Sequence, residues 1–282
     1  MKVRGTTRIA GVIGNPVAHT RSPAMHNHAC EKTGLDMIYL PFLVREKELG
    51  PAMAGVRALN MAGVNVTIPH KQAVMRHLDA VSKESRLIGA VNTVVNRNGR
   101  LIGTTTDPYG IMMALKRKKV AIKGKRITVL GTGGSARTAL FTFLLNGCRD
   151  IALAGRHPDK AAAMARDAEK RFRCKVPLLK LDAPAFERRT AVTDLLVNCT
   201  SVGMAPCADK TPIKKSLLRP GMIVFDIVYQ PQKTRLLKEA AAAGLKTVRG
   251  ADMLIFQGMA AFKLFTGRNV PYSVFRKGFD LA

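Results

Sequence analysis

Lys71 and Asp107 each end a polar stretch that follows a predicted strand, and a third such stretch lies between them. Lys71 closes Asn65-Val66-Thr67-Ile68-Pro69-His70-Lys71. Asp107 closes Gly103-Thr104-Thr105-Thr106-Asp107, and Gly89-Ala90-Val91-Asn92-Thr93 separates the two. An ammonium and a carboxylate can carry a proton on and off a reacting oxygen, and amides and hydroxyls beside them can hold a small polar molecule. Downstream lies Val129-Leu130-Gly131-Thr132-Gly133-Gly134-Ser135-Ala136. Gly131, Gly133 and Gly134 let the backbone turn tightly and approach a pyrophosphate, whose charge meets the N-terminus of the helix opened by Ser135 and Ala136. Polar groups at strand ends ahead of such a loop describe an enzyme that holds a small polar substrate against a redox cofactor. The competing readings are a structural ion pair and a simple tight turn.

The second strand of the nucleotide half selects the cofactor. NAD enzymes place Asp or Glu about 20 residues beyond the loop, where it bonds the ribose hydroxyls. Here the strand ends in Ala154-Gly155-Arg156-His157-Pro158-Asp159-Lys160. No carboxylate stands at the tip, whereas Arg156 and Lys160 are placed to meet a 2′-phosphate, so NADP is expected. The alternative is that Arg156 is one more basic surface residue. Asp159 is expected to open the following helix.

The elements that must position these groups alternate along the chain. Arg8 to Ile13 reads as a strand. Ser22-Pro23 opens a helix to about Lys32, with Ser22 as N-cap and Pro23 at the first helical position. Met37 to Val44 is a strand, Glu46 to Leu59 a helix and Ala62 to Thr67 a strand, after which Pro69 begins another helix. Val91 to Gly103 reads as a hairpin turning at Asn98-Gly99, and Pro108 to Lys119 as a helix leading into a second domain. Ile127 to Leu130, Ile151 to Ala154, Leu195 to Val197 and Ile223 to Phe225 are short apolar strands, and Ser135 to Asn146 is a helix. This alternation predicts a parallel sheet with helices on both faces.

Composition sets the outer limits. The chain has 282 residues, 47% hydrophobic, enough to bury a core in two domains. No apolar run approaches the ~18–20 residues that span a bilayer, and the N-terminus shows no signal-peptide pattern. The five cysteines are scattered without metal-ligand spacing, which suits a reducing cytoplasm and no metal. Lys and Arg total 46 against 19 acidic residues, a formal +27. Such a surface attracts anions and binds nucleic acid nonspecifically at low salt. The cations are dispersed along the sequence and tryptophan is absent, so no dedicated nucleic-acid site is read.

The order of motifs resembles the shikimate dehydrogenase family nearly end to end. Gly11-Val12-Ile13-Gly14-Asn15-Pro16-Val17-Ala18-His19-Thr20-Arg21-Ser22-Pro23 with His26-Asn27 is similar to its opening motif. Asn65 to Lys71, Gly89 to Thr93 and Thr106-Asp107 resemble its substrate-domain signatures. Asn198 to Met204, Asp226 to Pro231 and Gly250 to Gln257 resemble those of its nucleotide half.

The resemblance implies an α/β enzyme with an N-terminal α/β substrate domain and a Rossmann-type NADP domain, with the active site in the cleft between. Residues 1–107 would form the first, with 253–282 packing back onto it, and residues 108–252 the second. It implies reversible NADPH-dependent reduction of 3-dehydroshikimate to shikimate on the route to chorismate, in the cytoplasm, by a monomer or homodimer. Lys71 and Asp107 would form the catalytic pair. Thr20 and Ser22 would hold the substrate carboxylate near a helix N-terminus, although Ser22 is also the expected cap. Thr67, Asn92 and Gln257 would bind the ring hydroxyls, with Asn65 shaping the strand end and Tyr229 closing the pocket. Thr200, Met204, Gly250 and Met253 would pack around the nicotinamide, the two methionines also being ordinary core candidates.

The chain departs from the family pattern at several positions. Thr20 replaces a common serine, His70 a phenylalanine, Thr105 an asparagine, and Pro108 a glycine. Gly155 and His157 flank Arg156 where asparagine and threonine are frequent. His70 is expected in a partly exposed loop, and Pro108 is expected to bias Asp107 toward extended backbone. Two other functions stay open: a quinate/shikimate dehydrogenase of relaxed specificity, and a non-catalytic homologue that binds nucleotide or nucleic acid through its basic surface.

Overall fold

The computed structural model describes residues 2–282. Its contacts divide the chain into two compact units, one running up to Gly110 and resuming over Ile255–Ala282, the other comprising Ile111–Leu254.

The first unit contains β1 (Arg8–Gly14), α1 (Ser22–Thr33), β2 (Met37–Leu43), α2 (Leu49–Ala58), β3 (Gly63–Val66), β4 (Ala80–Val81), α3 (Lys83–Ile88), β5 (Thr93–Arg97) and β6 (Arg100–Thr104). Its strands form one mixed sheet in the order β2-β1-β3-β5-β6-β4. β1 runs parallel to β2 and β3, while β5 is antiparallel to β3 and β6. The predicted hairpin is β5–β6, and its turn residues Asn98 and Gly99 both have positive φ, 51° and 85°. That is the backbone an Asn-Gly turn supplies with least strain. Val64, Val66, Val94 and Leu101 lead the buried apolar set beneath this sheet.

Two expectations fail here for identifiable reasons. No α-helix follows Pro69; a turn leads to a short 3₁₀ segment at Ala73–His77. The Lys71 carbonyl accepts from the Val91 N–H at 2.8 Å, so it cannot serve a helix ladder. Ser22 is the first residue of α1, not its cap: Arg21 caps in αR geometry without a side-chain bond, and Pro23 stands second.

α4 (Asp107–Arg117) leads out of the first unit. The second unit then contains β7 (Ile127–Leu130), α5 (Gly134–Leu145), β8 (Ile151–Ala154), α6 (Pro158–Phe172), β9 (Leu178–Leu179), α7 (Pro184–Val192), β10 (Leu195–Asn198), β11 (Ile223–Asp226), α8 (Arg235–Ala242) and β12 (Lys246–Arg249). α9 (Gly250–Thr266) returns the chain to the first unit, which ends in α10 (Tyr272–Asp280). The sheet order is β12-β11-β10-β7-β8-β9, parallel throughout. Every residue of β7, β8, β10 and β11 is buried. This is why those strands read as unbroken apolar runs: helices cover both faces of a parallel sheet.

Asp226 ends β11 inside this core. It accepts from Thr234 Oγ1 at 2.6 Å, Asn198 Nδ2 at 2.9 Å and the Val228 N–H at 3.1 Å. Burial nevertheless dominates and pushes its pKa up to about 6. Below about pH 4 folded and unfolded chains both hold this proton. As pH rises toward 6 the unfolded chain releases it first, so the fold loses stability, with the full loss present above that value. The interval from 3.8 to about 6 corresponds to ~3 kcal/mol. Melting profiles of the native chain and Asp226→Asn are therefore expected to diverge between about pH 4 and 7, the native chain falling relative to the variant. Parallel profiles would contradict this.

Candidate active site

Lys71 is held by its backbone before its side chain is considered. Thr67 N–H donates to the Ile13 carbonyl at 2.9 Å and His70 N–H to Thr67 at 2.9 Å. His70 is buried at 1% exposure, not part of an exposed loop, because a ring nitrogen lies 2.7 Å from the Val44 carbonyl and ties this segment to the end of β2. Lys71 Nζ then donates to Asp107 Oδ2 at 2.5 Å, with side-chain exposures of 22% and 8%. Asp107 opens α4 rather than an extended segment. Pro108 fits there because the second helical position needs no N–H donor.

Asn92 is the centre of the cluster. Its Nδ2 donates to Asp107 Oδ1 at 2.8 Å and also lies 3.0 Å from Thr106 Oγ1 and 3.2 Å from Gln257 Oε1. Its Oδ1 accepts from the Thr106 N–H at 2.8 Å and Thr93 Oγ1 at 2.9 Å. Thr106 Oγ1 reaches Gln257 Oε1 at 3.3 Å. Thus Lys71, Asp107, Asn92 and Gln257, from four separated segments, meet within the first unit. Asn65 Nδ2 joins them through Asn92 O at 3.1 Å and Thr93 Oγ1 at 3.0 Å.

The remaining predicted substrate groups are held in different ways. Thr20 and Ser22 lie at the start of α1, where the Ser22 N–H donates to Thr20 Oγ1 at 3.3 Å. Released from capping, the Ser22 hydroxyl bonds the phenol of Tyr39 instead. Thr67 is half-buried, and its methyl packs against Gly14. Tyr229 lies in the second unit on the segment after β11, half-buried. Sequence reasoning gave no role to Tyr39, Thr93 or the Thr106 hydroxyl. Their only signal is a polar side chain within strands or strand ends that otherwise read as core.

The glycine loop of the second unit has the form a pyrophosphate requires. Gly131 has φ +115°, and a Cβ there would stand 3.1 Å from the Cys199 backbone. α5 begins after Gly133 without any side-chain cap, so the N–H groups of Gly134, Ser135 and Ala136 are left for a ligand. Added Cβ atoms at Gly133 and Gly134 would meet nothing within 4 Å, so this cradle is open. The residues present therefore fit a dinucleotide. Arg156 is exposed and lines a groove of about 660 Å³ with Pro158, Leu178 and Lys180, among others; Asp182 is the one carboxylate in that lining. Lys160 is exposed outside that lining. The Gly155 departure has a steric reason: a Cβ would come 2.7 Å from Thr132 Cγ2.

The nicotinamide-side candidates are less uniform. The Thr200 hydroxyl donates to Asn198 Oδ1 at 2.7 Å and shapes its own loop. Gly250 opens α9 so close to β11's exit that a Cβ would lie 2.2 Å from the Ile227 carbonyl. Met253 is half-buried on α9, and Met204 is exposed; Met204 is thus not core filler. No group of His, Cys, Asp or Glu among the described residues could hold a metal ion.

Proteins similar to this chain along nearly its whole length are known. A family profile described as the shikimate dehydrogenase substrate binding domain matches residues 12–94. One described as the shikimate 5′-dehydrogenase C-terminal domain matches residues 250–277. The NADP(+) shikimate dehydrogenase of Symbiobacterium thermophilum is 43% identical over 278 residues, 97% of this chain and 94% of that protein. The chain belongs to the shikimate dehydrogenase family. A family structure solved with NADP+ superposes with TM-score 0.92 at 37% identity, covering 99% of this chain and 96% of the other. The Thermus thermophilus enzyme, solved with NADP(H) and shikimate, gives 0.87 at 36% identity over 97% and 99% of the two chains. The matched profiles include Thr20, Ser22, Thr67, Lys71, Asn92, Gly250, Met253 and Gln257, whereas Asp107 and the glycine loop lie outside them.

Removing the Asn92 amide leaves the buried Asp107 oxygen and the Thr106 N–H short of a partner. Asn92→Ala is expected to lower unfolding stability by about 1–3 kcal/mol, read from the urea midpoint. An unchanged midpoint would show that water replaces the amide without loss.

Proposed function

We propose that this chain is an NADP-dependent shikimate dehydrogenase, catalysing the reversible reduction of 3-dehydroshikimate to shikimate on the route to chorismate and the aromatic amino acids. The observation that carries the reading is the Lys71–Asp107 contact at 2.5 Å, buttressed by Asn92 and Gln257 in a chain whose full-length relatives bear that activity.

Bound NADP supplies the hydride acceptor or, reduced, the hydride donor. The residues of the chain manage the proton and the fit. As hydride reaches the ketone carbon, negative charge grows on its oxygen, and Lys71 Nζ gives that oxygen a proton. In the reverse direction Lys71 takes the hydroxyl proton. Asp107 holds the ammonium in place, and Asn92 holds Asp107. Lys71 is the more exposed partner, so it can exchange its proton with water, while Asp107 stays shielded. The Thr20 hydroxyl at the α1 N-terminus suits the substrate carboxylate, which the helix dipole also favours, and the Ser22 hydroxyl, whose proton otherwise rests on Tyr39, would turn that proton to the carboxylate on binding. Thr67, Asn92 and Gln257 are the groups for the ring hydroxyls. A ligand lacking one of those hydroxyls leaves a buried polar group unpaired and is rejected.

On the cofactor side, the Gly131–Ala136 loop takes the pyrophosphate and Arg156 the 2′-phosphate. Thr200, Met204, Gly250 and Met253 are assigned to the nicotinamide by family resemblance. Four of the five cysteines are buried thiols and none is paired, which suits the reducing cytoplasm. The reaction uses residues of one chain, so a monomer or homodimer suffices, and polyanion binding is expected to vanish at moderate salt. No described helix is long and apolar enough to cross a membrane.

The test is nicotinamide reduction with shikimate and quinate in parallel. Strong shikimate turnover with NADP, lost about 10²–10⁴-fold in Lys71→Ala, is expected; turnover of quinate alone would overturn the substrate assignment. Arg156→Ala is expected to raise the KM for NADP about 10- to 100-fold and leave that for NAD unchanged. Equal changes for both cofactors would remove Arg156 from the 2′-phosphate.

A further inference from the structure

A buried line of hydrogen bonds joins the start of α1 to the Lys71–Asp107 pair, and two of its members have no role in the account so far. Tyr39 is fully buried, and its phenol donates to Asn65 Oδ1 at 2.7 Å. Since that phenol has one hydrogen, the Ser22 bond to it must be donated by Ser22. Asn65 Nδ2 donates to Thr93 Oγ1 at 3.0 Å, and Thr93 donates to Asn92 Oδ1 at 2.9 Å. Asn92 Nδ2 donates to Asp107 at 2.8 Å. Every donor points the same way, from Ser22 toward the Asp107 carboxylate, the arrangement in which successive bonds polarise one another.

The sheet makes this line possible. Asn65 on β3 stands directly opposite Thr93 on β5 in the antiparallel register, and directly opposed side chains are the closest in a sheet. Tyr39 is fixed from its ring face by His26, whose imidazole stacks on it at 4.1 Å and 8°. Both His26 ring nitrogens are buried without a partner, and burial pushes its pKa down to about 3. His26 is thus a neutral flat spacer, wedged between Tyr39 and the edge of Phe275.

We propose that Tyr39 and Thr93 are positioning residues that couple the Ser22 end of the substrate site to the Asn92–Asp107–Lys71 end. This rests on the reading of the site as that of a shikimate dehydrogenase. Tyr39 sets Ser22, a candidate for the substrate carboxylate, and Asn65, which shapes the strand end beside Asn92. Thr93 sets Asn92, which sets the catalytic carboxylate. Each therefore weighs most on the constant of its own end, while the shared line couples the two effects.

Tyr39→Phe keeps the ring on His26 and removes only the hydroxyl. Thr93→Val keeps the shape of a β-branched strand residue, and each neighbour retains another bond: Asn65 to Asn92 O, and Asn92 to the Thr106 N–H. The expected results are a shikimate KM raised about 3- to 10-fold in Tyr39→Phe and a kcat lowered about 3- to 10-fold in Thr93→Val, with the NADP KM unchanged in both. In the double variant the loss in kcat/KM falls short of the product of the single losses, since either change already breaks the line. In parallel, the side-chain amide NMR signals of Asn92 are expected to move in Tyr39→Phe, three hydrogen bonds from the change. Wild-type kinetic constants in both single variants, a multiplicative double variant, or an Asn92 amide that stays put would overturn the proposal. A wild-type chain that fails to turn over shikimate would overturn the functional reading instead, and the Asn92 signals would then decide this one alone.

Discussion

A carboxylate buried at the start of α4 is the constraint around which the first unit is arranged. Removing such a charge from water is costly unless both of its oxygens are bonded and a countercharge is close. Asp107 meets both demands: Lys71 takes one oxygen and Asn92 the other. Each partner then needs its own support. Lys71 depends on a turn pinned to Val91 and, through His70, to Val44. Asn92 depends on Thr106, Thr93 and Gln257. The strand register, the turn after β3 and the return of α9 to this unit can all be read as conditions for burying one charge. Fixing that charge also fixes the ammonium at the place where the chemistry needs a proton.

The large positive charge has a partial explanation inside the molecule. Arg21, Arg97, Arg149, Arg189, Arg219, Arg235 and Arg268 donate to main-chain carbonyls. Several of these lie at the ends of helices, such as Phe279 in α10, Leu264 in α9 and Leu144 in α5. The last carbonyls of a helix lack intrahelical donors, and a guanidinium supplies several in a fixed fork. Such arginines stabilise helix ends rather than attract partners. Nothing in the reaction itself calls for the remaining lysines.

The sequence was most legible where a strong local signal coincided with burial. β7, β8, β10 and β11 read correctly because both of their faces are covered, whereas the half-exposed β12 was not foreseen; Asn98-Gly99 encoded its turn directly. Legibility failed where long-range bonds overrode local preference. Pro69 looked like a helix start, but the Lys71 carbonyl was already committed to Val91. Ser22 looked like a cap, but its hydroxyl is drawn to Tyr39. The two-residue strands β4 and β9 exist only through pairing with Ile102 and Leu153, which no local pattern announces. Among site residues, Lys71 and Asp107 stood out by type and context. Thr93 and Tyr39 did not, because a hydroxyl within a strand gives no sign of its partner until the register is known.

The central claim is that Lys71 and Asp107 act as one unit. Steady-state shikimate oxidation by Lys71→Met, Asp107→Asn and the double variant tests it most directly. Residues that act together lose their effect together, so the double variant should be about as slow as the slower single variant. Losses that multiply in the double variant would show two independent groups and would contradict the account.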